Sequence, residues 1–173
     1  MKKTVVHETL LKVENLKTWF DTPEGTVRAV DGIDFDINPG ETLALLGESG
    51  CGKSISALSL LQLVPAPAGR IVSGRALLRD QDVLALSERD MRTIRGKRVA
   101  MIFQEPQTSL NPVLTVGEQI SEAIPQADGF SRQDKRVHVA ELLKAVGIAD
   151  AARRYDEYPF QLSGGMKQRV MIA

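Results

Sequence analysis

Residues 47 to 54 read Gly47-Glu48-Ser49-Gly50-Cys51-Gly52-Lys53-Ser54, and these eight types at this spacing suit the binding of a triphosphate. Glycine lets successive backbone N–H groups turn inward on phosphate oxygens, and a helix N-terminus directly behind adds partial positive charge. In such a loop Lys53 reaches the β- and γ-phosphates and the Ser54 hydroxyl ligates Mg²⁺. The context fits, because the apolar run Thr42-Leu43-Ala44-Leu45-Leu46 reads as a strand before it and residues Ile55 to Leu63 read as a helix behind it. A nucleoside triphosphate is the expected ligand. Cys51 reads as a small filler, since the spacing demands only the flanking glycines and the lysine.

A second stretch carries related chemistry. In Leu162-Ser163-Gly164-Gly165-Met166-Lys167-Gln168-Arg169-Val170, Ser163 is a helix N-cap. Gly164 and Gly165 permit close backbone approach, and the helix that begins there attracts anions. One domain has little need for two sites that hold a γ-phosphate.

The elements that must position these groups follow from periodicity. Leu11 to Glu14 alternates as a strand, and Val27, Ala29, Ile33, Phe35 and Ile37 continue the period after the turn Asp21 to Gly25. An antiparallel β-layer therefore comes first. Pro39-Gly40 turns the chain toward the Thr42 to Leu46 strand, Pro65 to Gly69 ends the following helix, and Arg70 to Leu78 reads as a strand. Ser87 with Asp90 opens a short basic helix, and the continuous apolar run Val99 to Phe103 predicts a strand covered on both faces in a parallel sheet. Thr115 with Glu118, and Ser131 with Asp134, start two more helices, so residues 115 to 155 are expected to be mostly helical. In the helix from Ser131, Val137, Ala140, Leu143 and Val146 form the predicted core stripe, with Arg132, Lys135 and Arg136 as its solvated side.

Composition narrows the classes. The 173 residues are 43% apolar, with 22 basic and 22 acidic side chains, enough for one cored domain and without the charge excess of a nucleic-acid or membrane-surface binder. No apolar stretch approaches the roughly 20 residues that cross a bilayer. Met1 to Glu8 breaks off before building a signal-peptide core, and the single cysteine cannot form an internal disulfide. The chain is expected to stay in the cytoplasm.

Taken with the loop at Gly47 to Ser54, Phe103-Gln104-Glu105-Pro106 and Leu162 to Val170 resemble, in order, the P-loop, Q-loop and signature motif of the ATP-binding cassette (ABC) ATPases. The resemblance implies an α/β P-loop NTPase fold of ABC type: a parallel central sheet, an N-terminal antiparallel β-layer, and a helical subdomain at approximately 110–165 inserted within a domain spanning 1–173. It implies ATP and Mg²⁺ as ligands, with Lys53 and Gln104 acting on the phosphates and attacking water, and Ser54 and Gln104 on the metal. The Gln104 amide can accept from a water and coordinate Mg²⁺ through its oxygen. Phe20 aligns with the aromatic that stacks on adenine in the family, and Val30 with an apolar residue near the ribose. Trp19 is the rival for the first role, and only one of two adjacent strand residues can face the base; Phe20 is preferred.

The resemblance also answers the question of two phosphate sites. In the family two domains pack head to tail, and each signature, here Ser163, Gly164 and Gly165, closes on the partner's nucleotide. Gly47 to Gly50, Met101 to Pro106, Thr108 to Pro112 and Thr115 to Gln119 resemble the ATPase subunits of bacterial dipeptide, oligopeptide, nickel and glutathione importers. This implies a second ABC ATPase subunit, two integral membrane permease subunits, a solute-binding protein reached through them, and a peripheral place on the cytoplasmic face of the inner membrane. The region from 105 to 125 and the helical segment would receive a coupling helix from the membrane subunit.

The sequence departs from the family at Met171-Ile172-Ala173, inside the helix after the signature. The apolar strand ending in Asp, the Glu that serves as general base and the switch histidine are expected downstream, and His7 and His138 match no switch position. The fold is thus expected to be incomplete at the C-terminus, the isolated polypeptide slow or inactive in hydrolysis, and the Thr42 to Leu46 strand an unpaired edge. The alternatives are a non-transport ABC ATPase acting on nucleic acid or an inactive truncated product that binds ATP only; against the first, the segment from Gln104 to Leu162 is short for the long coiled coil or zinc insert of the repair relatives, and no basic stripe with aromatics is seen. A small-molecule kinase is disfavoured by Leu162 to Met166.

Overall fold

The computed structural model describes residues 9–103, 109–124 and 129–173; Gln104 lies outside them. The chain divides into two compact units, Met1–Ala100 and Met101–Ala173.

The first unit is built on a twisted antiparallel sheet of order β2-β1-β3-β4. β1 (Leu11–Thr22) and β2 (Gly25–Ile37) form the expected hairpin, and β3 (Gly69–Leu78) pairs with the other edge of β1. β4 (Gln81–Asp82) closes on β3. Register shifts between Val13 and Leu16 keep both side chains buried although they are three residues apart, which a regular strand would not allow. These residues, with Val30, Ala76, Leu78, Val83, Met91 and Ile94, make one core. α1 (Lys53–Leu60) follows the glycine-rich loop, and α2 (Glu88–Ile94) starts at Ser87, whose hydroxyl accepts the Asp90 N–H.

Two expected strands do not form. Thr42 to Leu46 and Val99 to Phe103 carry no ladder among the described residues beyond one parallel bridge, Arg95 to Val99. An extended run becomes a strand only where a neighbour meets its N–H and C=O groups, and these runs find none. Although Val99 packs on the core of the first unit, Leu46 is 92% and Ile102 59% exposed, where the sequence predicts burial on both faces for Val99 to Phe103.

The second unit contains α3 (Val116–Ala123), α4 (Arg132–Ala145), the single turn α5 (Ala151–Arg154) and α6 (Gly164–Ile172). Its core gathers Val116, Ile120, Ile124, Val139, Leu143, Ile148, Ala151, Leu162 and Val170. On α4 the buried side chains are Val139 and Leu143, with Ala140 and Val146 packed beside them, while Val137 is 52% exposed. The stripe is turned relative to the predicted one. Arg136 is drawn off the solvated side: its guanidinium pairs with both Asp156 oxygens and lies 4.3 Å from the Tyr155 ring centroid.

Both expected capping boxes are present at α3 and α4. The backbone N–H and hydroxyl of Thr115 donate to Glu118 and hold its carboxyl below the usual range; the hydroxyl and N–H of Ser131 do the same to Asp134. A lowered folded pKa stabilises above the unfolded pKa and is lost as pH falls through the folded one. Urea midpoints should therefore drop between about pH 5 and pH 2, and the drop should be smaller in a Thr115→Ala/Ser131→Ala variant. An acid limb of equal depth in both proteins would show that these caps do not carry it.

Candidate nucleotide-binding site

The loop begins where Asn38 and Glu41 close a turn, the Glu41 N–H donating to the Asn38 carbonyl at 3.1 Å and the Asn38 N–H to the Glu41 carboxylate at 2.7 Å. Gly40 (φ +76°) sits in the left-handed region there. Residues 41 to 48 run without regular structure, and the chain turns over Ser49 to Gly52 into α1. Gly52 is the N-cap, at φ +94°. A side chain there would be strained by that angle, and its Cβ would collide with the Ala29 carbonyl oxygen of β2 and come within 3.5 Å of Val30 Cγ2. Glycine at 52 is thus what lets the loop lie on β2 beside the buried Val30. At Gly47 a Cβ would strike Cys51 Sγ, so the two ends of the loop also close on each other.

Lys53 lies across this ring. Its Nζ donates to the Gly47 carbonyl at 2.8 Å and the Glu48 carbonyl at 2.7 Å, with Cys51 Sγ at 3.4 Å. The Ser56 N–H is the first in α1 to find its helical acceptor, Gly52 O, at 2.8 Å. The N–H groups of Lys53, Ser54 and Ile55 have no backbone acceptor among the described residues, as the first turn of a helix requires. Ser54 is exposed on that turn and Cys51 is an exposed free thiol. The result is a ring of glycine-freed backbone, an ammonium within it, and helix donors behind it, which can take an anion with several oxygens.

Contacts distant in sequence fix the helix that presents this loop. The Thr18 and Ser59 hydroxyls, both residues fully buried, hydrogen-bond at 2.7 Å and tie α1 to β1. At the far end Arg95 donates to the Leu61 carbonyl at 2.8 Å and the Gln62 carbonyl at 3.3 Å while pairing with Glu88 at 2.9 Å. A cation there complements the negative helix terminus. Thr18, Ser59 and Arg95 were not singled out from sequence; the available signal was a hydroxyl pair at core-facing positions of β1 and α1.

Phe20 and Trp19 part company on the sheet. Thr18 faces α1, and Phe20, two residues on in regular register with β3, shares that face: its Cε1 lies 2.6 Å from where a Gly69 Cβ would stand, next to Val64. Trp19 turns the other way, with the Arg28 guanidinium 4.8 Å and the Arg70 guanidinium 6.0 Å from its ring centroid. The face that carries the loop's helix thus holds Phe20.

In the second unit Ser163 is the N-cap of α6, its hydroxyl accepting the Met166 N–H at 3.3 Å. Ser163, Gly164 and Gly165 are exposed, while Leu162 and Val170 anchor the helix in the core. A Cβ at Gly165 would meet nothing within 4 Å. The chain's own packing places no demand for glycine at that position.

Comparison with known proteins matches residues 30–173 to the ABC transporter family. The oligopeptide transport ATP-binding protein AppD of Bacillus subtilis is 52% identical over 165 residues, 95% of this chain and 50% of that protein. The dipeptide transport ATP-binding protein DppD of the same organism is 46% identical over 166 residues, 96% of this chain and 50% of that protein. The chain spans about half the length of these relatives. Among solved structures, the dimeric structure of the bacterial ABC transporter cassette MJ0796 superposes with a TM-score of 0.80 at 26% identity, covering 94% of this chain and 67% of that one. A dimeric post-hydrolysis state of MJ0796 bound to ADP and Pi gives 0.77 at 24% identity, again over 94% and 67%. With the glycine-enforced ring around Lys53, the capped helix at Ser163 and a family match over most of its length, this chain belongs to the ABC transporter family and has the α/β fold of its ATPase cassettes.

Proposed function

We propose that this chain is the nucleotide-binding part of a peptide-type importer ATPase that holds MgATP at Gly47 to Ser54 and works in a head-to-tail pair. The observation that carries the reading is the ring in which Gly52 is required by its backbone angle and the Ala29 carbonyl, Gly47 closes on Cys51, and Lys53 Nζ lies between the Gly47 and Glu48 carbonyls. The amides from Gly52 to Ser54 receive phosphate oxygens, the Cys51 N–H joins them by leaving the Glu48 carbonyl it meets at 3.4 Å, Lys53 exchanges its two loop carbonyls for β- and γ-phosphate oxygens, and Phe20 with Val30 receives the adenosine end. The exposed Ser54 hydroxyl is an oxygen ligand that fits a magnesium ion accompanying phosphates held on the amides of the same helix turn; Gln104 is the second proposed ligand. When bound, the ion neutralises charge between the phosphates.

In the pair, Ser163, Gly164 and Gly165 of each copy close on the other's triphosphate. The space around Gly165 supports this, because the glycine leaves room for a ligand that the chain itself does not fill. Residues 110–165 are read as a helical subdomain of one nucleotide-binding domain, facing two membrane permease subunits at the cytoplasmic surface of the membrane, with a solute-binding protein beyond them. No helix among the described residues is long and apolar enough to cross a membrane. The names of the relatives support peptides as the transported class.

Cys51 gives the test. Its thiol is exposed beside Lys53 Nζ, so a maleimide should label it readily, and saturating MgATP should slow labelling roughly tenfold or more by mass action on the open site. Equal labelling rates with and without MgATP would overturn the reading.

A further inference from the structure

The direction in which Ser163, Gly164 and Gly165 point depends on how α6 is set about its own axis, and the apolar packing of this helix is narrow. Leu162, Met166 and Val170 recur every fourth residue and form the stripe that meets the core. A nine-residue helix held along one stripe can still roll about it. Beside that stripe stands Arg169, which no part of the proposed nucleotide chemistry uses.

Arg169 does not point into solvent alone. Its Nη1 donates to the Val146 carbonyl at 2.6 Å and to the Gly147 carbonyl at 3.4 Å. Both carbonyls lie just past the C-terminus of α4, where Val146, Gly147 and Ile148 turn the chain through N–H donations to Leu142, Lys144 and Leu143. A cation meeting the carbonyl end of a helix is held by the local dipole as well as by the hydrogen bonds. Gly147 completes the contact from the other side: it sits at φ +76°, and a Cβ on it would run into Arg169 Nη1. The backbone angle is what calls for glycine there, and a Cβ would push the guanidinium end of Arg169 aside.

We propose that Arg169 is a positioning residue that locks α6 against the end of α4 and so aims Ser163 to Gly165, about 9 Å up the helix, at the phosphates they contact. The inference rests on the reading of Ser163 to Gly165 as a phosphate-contacting element. Removing the latch leaves Gly47 to Ser54 intact in the first unit, so nucleotide binding to one copy should persist while the step that needs the signature slows. A latch made by two N–H···O contacts from one nitrogen can be met in part by a lysine ammonium, which carries the same charge on a shorter, non-forked head.

The test compares the natural full-length protein with its R169A, R169K and G147A variants, checking each for folding by circular dichroism. Binding of a fluorescent ATP analogue to the monomer should stay within about twofold, while kcat for MgATP hydrolysis should fall about tenfold to a hundredfold in R169A, the loss expected when a contacting group is misplaced by about 1 Å. R169K should recover part of kcat, and G147A should reproduce R169A from the other side of the contact. An R169A enzyme with unchanged kcat overturns the latch, as does one whose loss lies wholly in monomer affinity for ATP. Failure of the unaltered protein to bind the analogue would instead sink the reading of the site.

Discussion

Lys53→Ala is expected to weaken MgATP binding by roughly 30- to 1,000-fold, about 2 to 4 kcal/mol, because it removes a charged donor whose hydrogen bonds each contribute about 1.5 to 3 kcal/mol. The geometry explains why stability should scarcely move. Lys53 Nζ donates to the Gly47 and Glu48 carbonyls at 2.8 and 2.7 Å, and both of those residues are exposed, so water can take the place of the ammonium. A thermal midpoint within a few degrees and an affinity lost by titration calorimetry is the expected pair of results. If the variant binds MgATP within threefold of the unaltered chain, the ring around Lys53 is a structural turn and not a phosphate site.

The largest effect on the fold should come from Leu143→Ala in α4. Leu143 is fully buried at the centre of the cluster that includes Val116, Ile120, Val139, Ile148, Leu162 and Val170, and emptying such a site costs about 2 to 5 kcal/mol through lost burial plus the cavity left behind. Two of its cluster neighbours, Leu162 and Val170, lie at either end of the stretch that carries Ser163 to Gly165. Loosening this core should therefore reach the signature. Val137→Ala makes the comparison: at 52% exposure it should change stability by no more than about 0.5 kcal/mol. Urea denaturation of the two variants decides between them. Equal losses would mean that α4 buries the stripe predicted by its sequence, and not the one seen here.

The contrast between Val137 and Val139 shows where sequence reading stops. The cap at Ser131 and the end at Gly147 were legible because each is written in residues a few positions apart, and both appear where expected. Which apolar residues of the helix face inward depends on the neighbours that arrive, and Val139 wins because α4 is turned to meet α3 and the Leu162 to Val170 stretch. The same holds for Trp19 and Phe20. Alternation says that they point to opposite sides of β1, but only the Thr18 to Ser59 contact says which side carries α1.

The turn at Ser49 to Gly52 and the helix behind it were legible from local spacing, and Gly50 and Gly52 both take left-handed angles that favour glycine. Even so, the cause at Gly52 is the Ala29 carbonyl, more than twenty positions upstream. Thr42 to Leu46 and Val99 to Phe103 went the other way: their composition is that of buried strands, but β-pairing is a property of two segments, and one apolar run cannot supply its own partner. Arg169 belongs to the same class, a basic side chain on a short helix whose acceptors lie on another element.

By itself, then, the sequence determined the glycine-rich turn before α1, the antiparallel hairpin, the caps that start α2, α3, α4 and α6, and the family, because each rests on residue types at short, fixed spacing. Tertiary structure alone decided which face of β1 and of α4 is covered, which extended runs become strands, and what Arg95 and Arg169 hold. The physical reason is that burial, ladder hydrogen bonds and helix-end contacts are made between segments far apart in the chain, so their energies exist only once those segments meet.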